Sequence, residues 1–218
     1  TCVYQNGEYS ITITGYAANA TDEEKETVII PDTIDGIKVT GVARQAFSNN
    51  GNDNYKKIKH VIIGANVSQI GYCAFAPADT IVGTLESVTF KAGVPVTIGD
   101  RAFQKYQKVF QTFDAGNREI ALGNNVFLDS YPTWVNMPNV TSIGKGIFYN
   151  LSNNKTTIVI NGSAVCDDLT FKNVTGGASG ADSVSNATIY AVNAAADSVA
   201  PQIKALGAIG KNILCLTD

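Results

Sequence analysis

Apolar positions along this chain come in short alternating runs rather than in long helical stripes. TVIIP (27–31), HVIIG (60–64), SVTFK (87–91), VFQTFD (109–114), WVNMP (134–138) and TIVIN (157–161) are mostly β-branched or aromatic and are bounded by Gly, Pro, Asn or Asp. Runs of this kind predict short strands. Between them a hexapeptide recurs: VARQAF (42–47), IGYCAF (70–75), IGDRAF (98–103), LGNNVF (122–127) and IGKGIF (143–148). In each, an aliphatic residue precedes a Phe by five positions, and four of the five carry Gly in second place. Phe47, Phe75 and Phe103 are spaced by 28 residues, and Phe127 and Phe148 follow after 24 and 21.

A fixed stamp of this kind implies a repeat architecture. Each unit reads as a short strand, a turn, an aliphatic-Gly step, one helical or 3₁₀ turn ending in Phe, and a polar return loop. One unit cannot bury its own apolar face, so it must stack on the next. The expected fold is therefore a repeat solenoid, leucine-rich-repeat-like, a right-handed coil of short parallel strands. A β-sandwich would give no reason for the stamp. Val61/Ile63, Val88/Phe90, Val135/Met137 and Ile158/Ile160 should point inward, and the stamp Phe residues should stack in a column. The Gly of the stamp is expected to turn the backbone, with positive φ. Unit length varies most in the return loops, with SNNGNDNYKK (48–57) and APADTIVGT (76–84) the largest.

The ends differ from the middle. VYQNGEYSITITGY (3–16) predicts a hairpin with Asn6-Gly7 as its two-residue turn. ATIYAV (187–192) predicts a strand, followed by a helix from about Asp197, its N-cap, to Leu206, and ILCL (213–216) a last strand. The least regular piece is 169–186. Its GGASGAD lacks the Lys-Ser/Thr of a phosphate-binding loop and reads as a flexible loop. One domain spans 1–218: a hairpin cap (1–26), about five to six repeats (27–161), and an irregular segment with a C-terminal cap (162–218).

Composition narrows the function. A formal charge of −3 with pI near 5.2 excludes the basic footprint of a nucleic-acid binder. No apolar run reaches the length of a membrane-spanning helix. Cys2, Cys73, Cys166 and Cys215 are far apart, and the only His is His60, so no zinc-ligand spacing exists. Buried thiols or one disulfide both fit them. Asp167-Asp168 and Glu23-Glu24 are adjacent carboxylates in turn-like sequence, not a convergent pair. Cys73 lies in the packed wall, unsuited to a nucleophile. No cofactor, metal or catalytic residue is expected. Asn-x-Ser/Thr triplets such as Asn66 and Asn139 would be glycan acceptors only in a eukaryotic secretory pathway, and Asn-rich turns explain them here.

Repeated Ile-Gly-x-x-Ala-Phe after a Val-x-Ile-Pro strand resembles the BspA-like class of bacterial leucine-rich repeats, the Treponema-type repeat. EYSITITGY followed by TVIIPDTIDGIKVTGVARQAF is similar to that family's first coil, and ATIYAV plus helix to its C-terminal cap. The resemblance covers nearly the whole chain and is weakest over 162–186. Ala43 replaces the stamp Gly, and Val126 and Ile147 replace its Ala. The resemblance implies a secreted or surface-anchored bacterial protein, its signal peptide removed, some of whose relatives are adhesins, and no shared catalytic residues.

Strand alternation then predicts the outward set on the sheet: His60 and Ile62, Ser87 and Thr89, Phe110 and Thr112, Trp134 and Asn136, Thr157 and Val159, with Tyr190 on the cap strand. Phe110 and Trp134 would lie on adjacent rungs amid hydroxyls and amides, as protein or sugar recognition tends to use. Expected is a monomeric, non-enzymatic module that binds protein, or alternatively glycan, through this face. A structural spacer with no ligand is the third reading.

Overall fold

The computed structural model describes residues 1–5, 7–48, 57–77, 83–107, 110–151, 156–175, 178–182, 187–194, 198–208 and 212–215. Its β-branched runs form one wall, an eight-stranded sheet. In spatial order its strands are Thr27–Ile30, His60–Ile63, Ser87–Phe90, Thr112–Asp114, Trp134–Met137, Thr157–Asn161, Thr188–Val192 and Asn212–Cys215, all parallel. Each coil returns through a second sheet that begins with the antiparallel hairpin Cys2–Gln5/Glu8–Ile13. That sheet continues in parallel through Ile37–Val42, Gln69–Ile70, Val96–Ile98, Ile120–Leu122, Val140–Ile143 and Val165–Cys166. The result is a solenoid of about six turns, as the repeat demanded.

Register explains the apolar spacing. Val28, Val61, Val88, Phe113, Val135, Ile158 and Ile189 form one inward row of the first sheet, and all are buried. The stamp's first residue forms the matching row of the second: Ile13, Val42, Ile70, Ile98, Leu122, Ile143 and Cys166 are successive neighbours. Between the walls the five Phe rings stack, 5.1, 5.3, 6.3 and 5.6 Å apart in sequence, with interplanar angles of 2° to 22°. Tyr16 closes the front of the column edge-on to Phe47 at 5.0 Å. Each ring pair adds about 0.5–1.5 kcal/mol beyond area burial.

A sixth stamp is present that the hexapeptide pattern did not reveal. Cys166 pairs with Ile143, and the Asp167 N–H donates to the Ile143 carbonyl as Gly144 does to Leu122, so CDDLTF (166–171) occupies the next coil. Phe171 is buried at its end. Asp in the Gly position and Cys in the aliphatic one hid it.

The glycines in second place of the stamp (Gly71, Gly99, Gly123 and Gly144) do not have positive φ, contrary to expectation. They are small because coils touch there: a Cβ on Gly71 would sit 2.4 Å from the Arg44 backbone nitrogen. The left-handed position is instead the fourth of the first five stamps, where Gln45, Cys73, Arg101, Asn125 and Gly146 have φ between 50° and 59°, and not Leu169 of the sixth. This residue interrupts the 3₁₀-type bonds of the stamp, such as Ala74 N–H to Gly71 O and Ala76 N–H to Cys73 O, and stops them growing into a helix. It also aims its N–H at the next coil: Cys73 donates to Asp100 O, and Arg101 to Asn124 O. A left-handed L-residue costs about 1–2 kcal/mol. Arg101 is exposed, so Arg101→Gly should leave stability unchanged or raise it by up to about 1 kcal/mol, and Arg101→Val should lower it by about 1–2 kcal/mol. Urea unfolding of both variants checks this, and equal effects of Gly and Val would refute it.

The ends also refine the expectation. Gln5 pairs with Glu8 across the first turn, where Gly7 has φ 85° and Asn6 lies outside the described residues. The C-terminal helix is Pro201–Ala208, later than expected, with Pro201 its first residue, where a missing N–H costs nothing. Asp197, the expected N-cap, lies outside the described residues, as does most of both large return loops. Val199 and Ile203 are buried against the last coil, and the Ala200 N–H binds Gly162 O at 2.7 Å. Residues 172–182 are not the expected loop: Lys172–Thr175 pairs antiparallel with Ala178–Asp182.

Candidate functional site

The outer face of the eight-stranded sheet carries two rows of side chains. Pairing places Thr27, His60, Ser87, Thr112, Trp134, Thr157 and Thr188 in one row, and Ile29, Ile62, Thr89, Asp114, Asn136, Val159 and Tyr190 in the other. Of the residues expected on this face, His60, Thr89, Thr112, Trp134, Asn136 and Tyr190 lie on it. Neighbouring rungs are about 4.8 Å apart.

Phe110 does not. It precedes the strand at the coil's corner and is 2% exposed, its ring 6.0 Å from Tyr106 and 6.2 Å from Phe127. The strand spans only Thr112–Asp114, and Phe113 aligns with Val88 and Val135, the second residues of their strands, rather than with Phe90 and Met137, the fourth. The outward partner of Thr112 is then Asp114, which the sequence reading passed over. The signal was present: Thr-Phe-Asp alternates polar and apolar, but three apolar residues at 109, 110 and 113 favoured a longer strand.

Trp134 is 40% exposed between Thr112 and Thr157, the one exposed large aromatic among the described residues of this sheet. One row over, Asn136 Nδ2 donates to Asp114 Oδ1 at 2.8 Å, and the Gly116 N–H donates to the same oxygen at 2.8 Å. Two coils away, His60 Nδ1 lies 2.9 Å from Ser87 Oγ. That contact has the reach of a nucleophile and its base. It lacks a third group to orient the ring: among the described residues no carboxylate hydrogen-bonds His60. Both side chains are half-buried on the outer face of the sheet. These side chains can pack against a ring or alkyl group and exchange hydrogen bonds.

Among the described residues no group of three or more His, Cys, Asp or Glu converges, and no helix is long and apolar enough to cross a membrane. Cys2 is exposed, Cys73 buried and Cys166 half-buried, and none bonds to another described cysteine. Burial pushes the Cys166 thiol up to about 11, so it is not an activated nucleophile. The side chain of Cys215 lies outside the described residues.

No curated protein and no solved structure matches the chain. A family model for the BspA-type leucine-rich repeat region matches residues 40–176 in six copies. That span begins at the strand carrying the first stamp and reaches past the sixth, CDDLTF. By these repeats, the chain belongs to the BspA-type leucine-rich repeat family.

Proposed function

We propose that this chain is a non-enzymatic module of a bacterial cell-surface or secreted protein that binds another protein through the outer face of its eight-stranded sheet, in adhesion to a host or to other bacteria. The observation that carries the reading is Trp134, an indole held half-exposed in a rigid, parallel, otherwise small-residue rung. A large ring left in water on a stiff platform is the usual centre of a protein-binding patch. The family supports interaction as the role of the repeats, and surface or secreted placement is common in it. A solenoid suits the task because its stacked repeats present an extended surface.

A glycan reading is favoured by one specific feature, the Asp114–Asn136 pair beside the indole. Sugar rings stack their C–H face on an indole while hydroxyls donate to carboxylate and amide oxygens. The two readings separate by experiment. Immobilised chain is presented to matrix proteins and to an oligosaccharide array while Trp134 emission is followed. Saturable binding of a protein, lost at least tenfold in Trp134→Ala and accompanied by a Trp134 shift, supports the protein-binding reading. A shift with oligosaccharides alone moves the assignment to glycan. A Trp134→Ala variant that keeps full binding to every ligand found removes this face from consideration, and no saturable binding to either class leaves a spacer.

A further inference from the structure

A second surface, at the front of the solenoid, is built differently. The second sheet extends one hairpin further than the first at this end, so the first sheet stops at Thr27–Ile30 with no described strand on its far side. The Glu26 carbonyl accepts from Lys59 N–H, and alternation along a parallel ladder then turns the N–H and C=O of Ile29 outward. Ile29 is 58% exposed there. Beside this edge runs a groove of about 380 Å³ between Val28–Pro31 and the 15–20 segment. Its floor is the front layer of the core, formed by Ile13, Val28, Ile30 and Phe47 with Tyr16. An unpaired strand edge over an apolar floor is a template for strand addition.

Charge selects the occupant. Residues 1–36 hold seven of the chain's 19 acidic residues and one of its 16 basic ones. Asp22, Glu26 and Asp32 are paired with Lys57, Lys59 and Lys91, and Glu24, which lines the groove, closes the capping box of Asp22–Glu26 with Thr21. Among the described residues Glu8, Glu23 and Asp35 have no cationic partner. We propose that this groove takes an extended basic segment of a partner protein, added as a strand along Ile29, with alternate apolar side chains on the floor and alternate Lys or Arg side chains toward the acidic Asp22–Glu26 segment, whose Glu24 lines the groove. Backbone pairing supplies the affinity, and that acidic segment selects sign of charge.

The test uses the whole chain and a fluorescein-labelled KVKVKVK peptide, read by anisotropy. KVKVKVK should bind saturably and weaken as salt rises, while EVEVEVE should bind at least tenfold more weakly. N-methylating the valine amides removes backbone donors and leaves charge unchanged, so it should weaken binding at least tenfold. Ile29→Pro removes the outward N–H and spares the ladder to His60–Ile63, and Ala20→Trp fills the groove; both should act like the N-methylated peptide. Trp134→Ala should leave this binding intact, which separates it from the sheet-face reading. Should Ile29→Pro not fold, the N-methylated peptide on the unaltered chain still decides. Absent binding, undiminished binding of the N-methylated peptide, or equal binding of EVEVEVE overturns the proposal. So does a homodimer dissolved by Ile29→Pro, which would put a second copy in the groove.

Discussion

Arg118→Met should lower the free energy of unfolding by about 3–5 kcal/mol, the cost of leaving several buried carbonyls without their donor at about 1–3 kcal/mol each. Arg118 is 2% exposed and stretches from its own coil across two earlier ones. Its Nε donates to Val94 O at 2.7 Å, Nη1 to Gly64 O at 3.0 Å and Lys91 O at 3.4 Å, and Nη2 to Ala65 O at 3.3 Å and to Val67 O. A guanidinium has five N–H groups, and here each has a carbonyl. Burial pulls its pKa down from the ordinary arginine value, and the Asp32 carboxylate opposes that shift. Gly64 O and Ala65 O also accept from the Val67 and Val94 N–H groups, so removing the guanidinium falls mainly on Lys91, Val94 and Val67. Arg118→Lys should recover only part of the loss, because an ammonium has three donors and no planar fork. Guanidinium chloride unfolding measures both variants. A loss under about 1 kcal/mol for methionine would show that water replaces the side chain at these carbonyls.

Phe103→Ala should cost about 3–5 kcal/mol, the range for deleting a buried aromatic ring. Phe103 is fully buried at the middle of the ring column, with Phe75 at 5.3 Å, Phe113 at 5.7 Å and Phe127 at 6.3 Å. It therefore joins the coils on both sides of it and the opposite wall. In a stack stabilised by nearest neighbours, a central deletion weakens two interfaces at once. Phe47→Ala, at the front, removes ring contacts to Tyr16 and to Phe75 on one side of the column and should cost less. Denaturant titrations of the two variants give the comparison. Equal losses at the two positions would mean that the column is not coupled along its length.

The parts legible in the sequence share one cause. A coil of fixed shape must present the same apolar positions to its neighbours each time, so the stamp Phe residues and the inward Val61/Ile63, Val135/Met137 and Ile158/Ile160 repeat visibly, and all are buried. Alternation then places His60, Thr89, Thr112, Trp134, Asn136 and Tyr190 on the outer face without further information. Where a coil departs from the common pattern, alternation fails. Phe110 looked like a strand residue because it is apolar and near a strand, yet its position at a corner turns it toward Tyr106 and Phe127. Asp114 was overlooked for the same reason. The sixth stamp was hidden because the coil tolerates Cys166 and Asp167 at positions the other units fill with an aliphatic residue and Gly.

The sequence by itself determined the repeat, the inward columns, the two differing ends and most of the outer sheet face, because these depend on periodicity along one chain. Tertiary structure alone decided what depends on neighbouring coils. It made close approach, rather than φ, the reason for Gly71, and assigned the left-handed conformation to the fourth stamp position. It gave Arg118 partners 24 to 54 residues away. It also ended the first sheet at Thr27–Ile30 among the described residues, while the second runs a hairpin further. Each of these is a relation between segments distant in sequence, and periodicity along one chain does not record it.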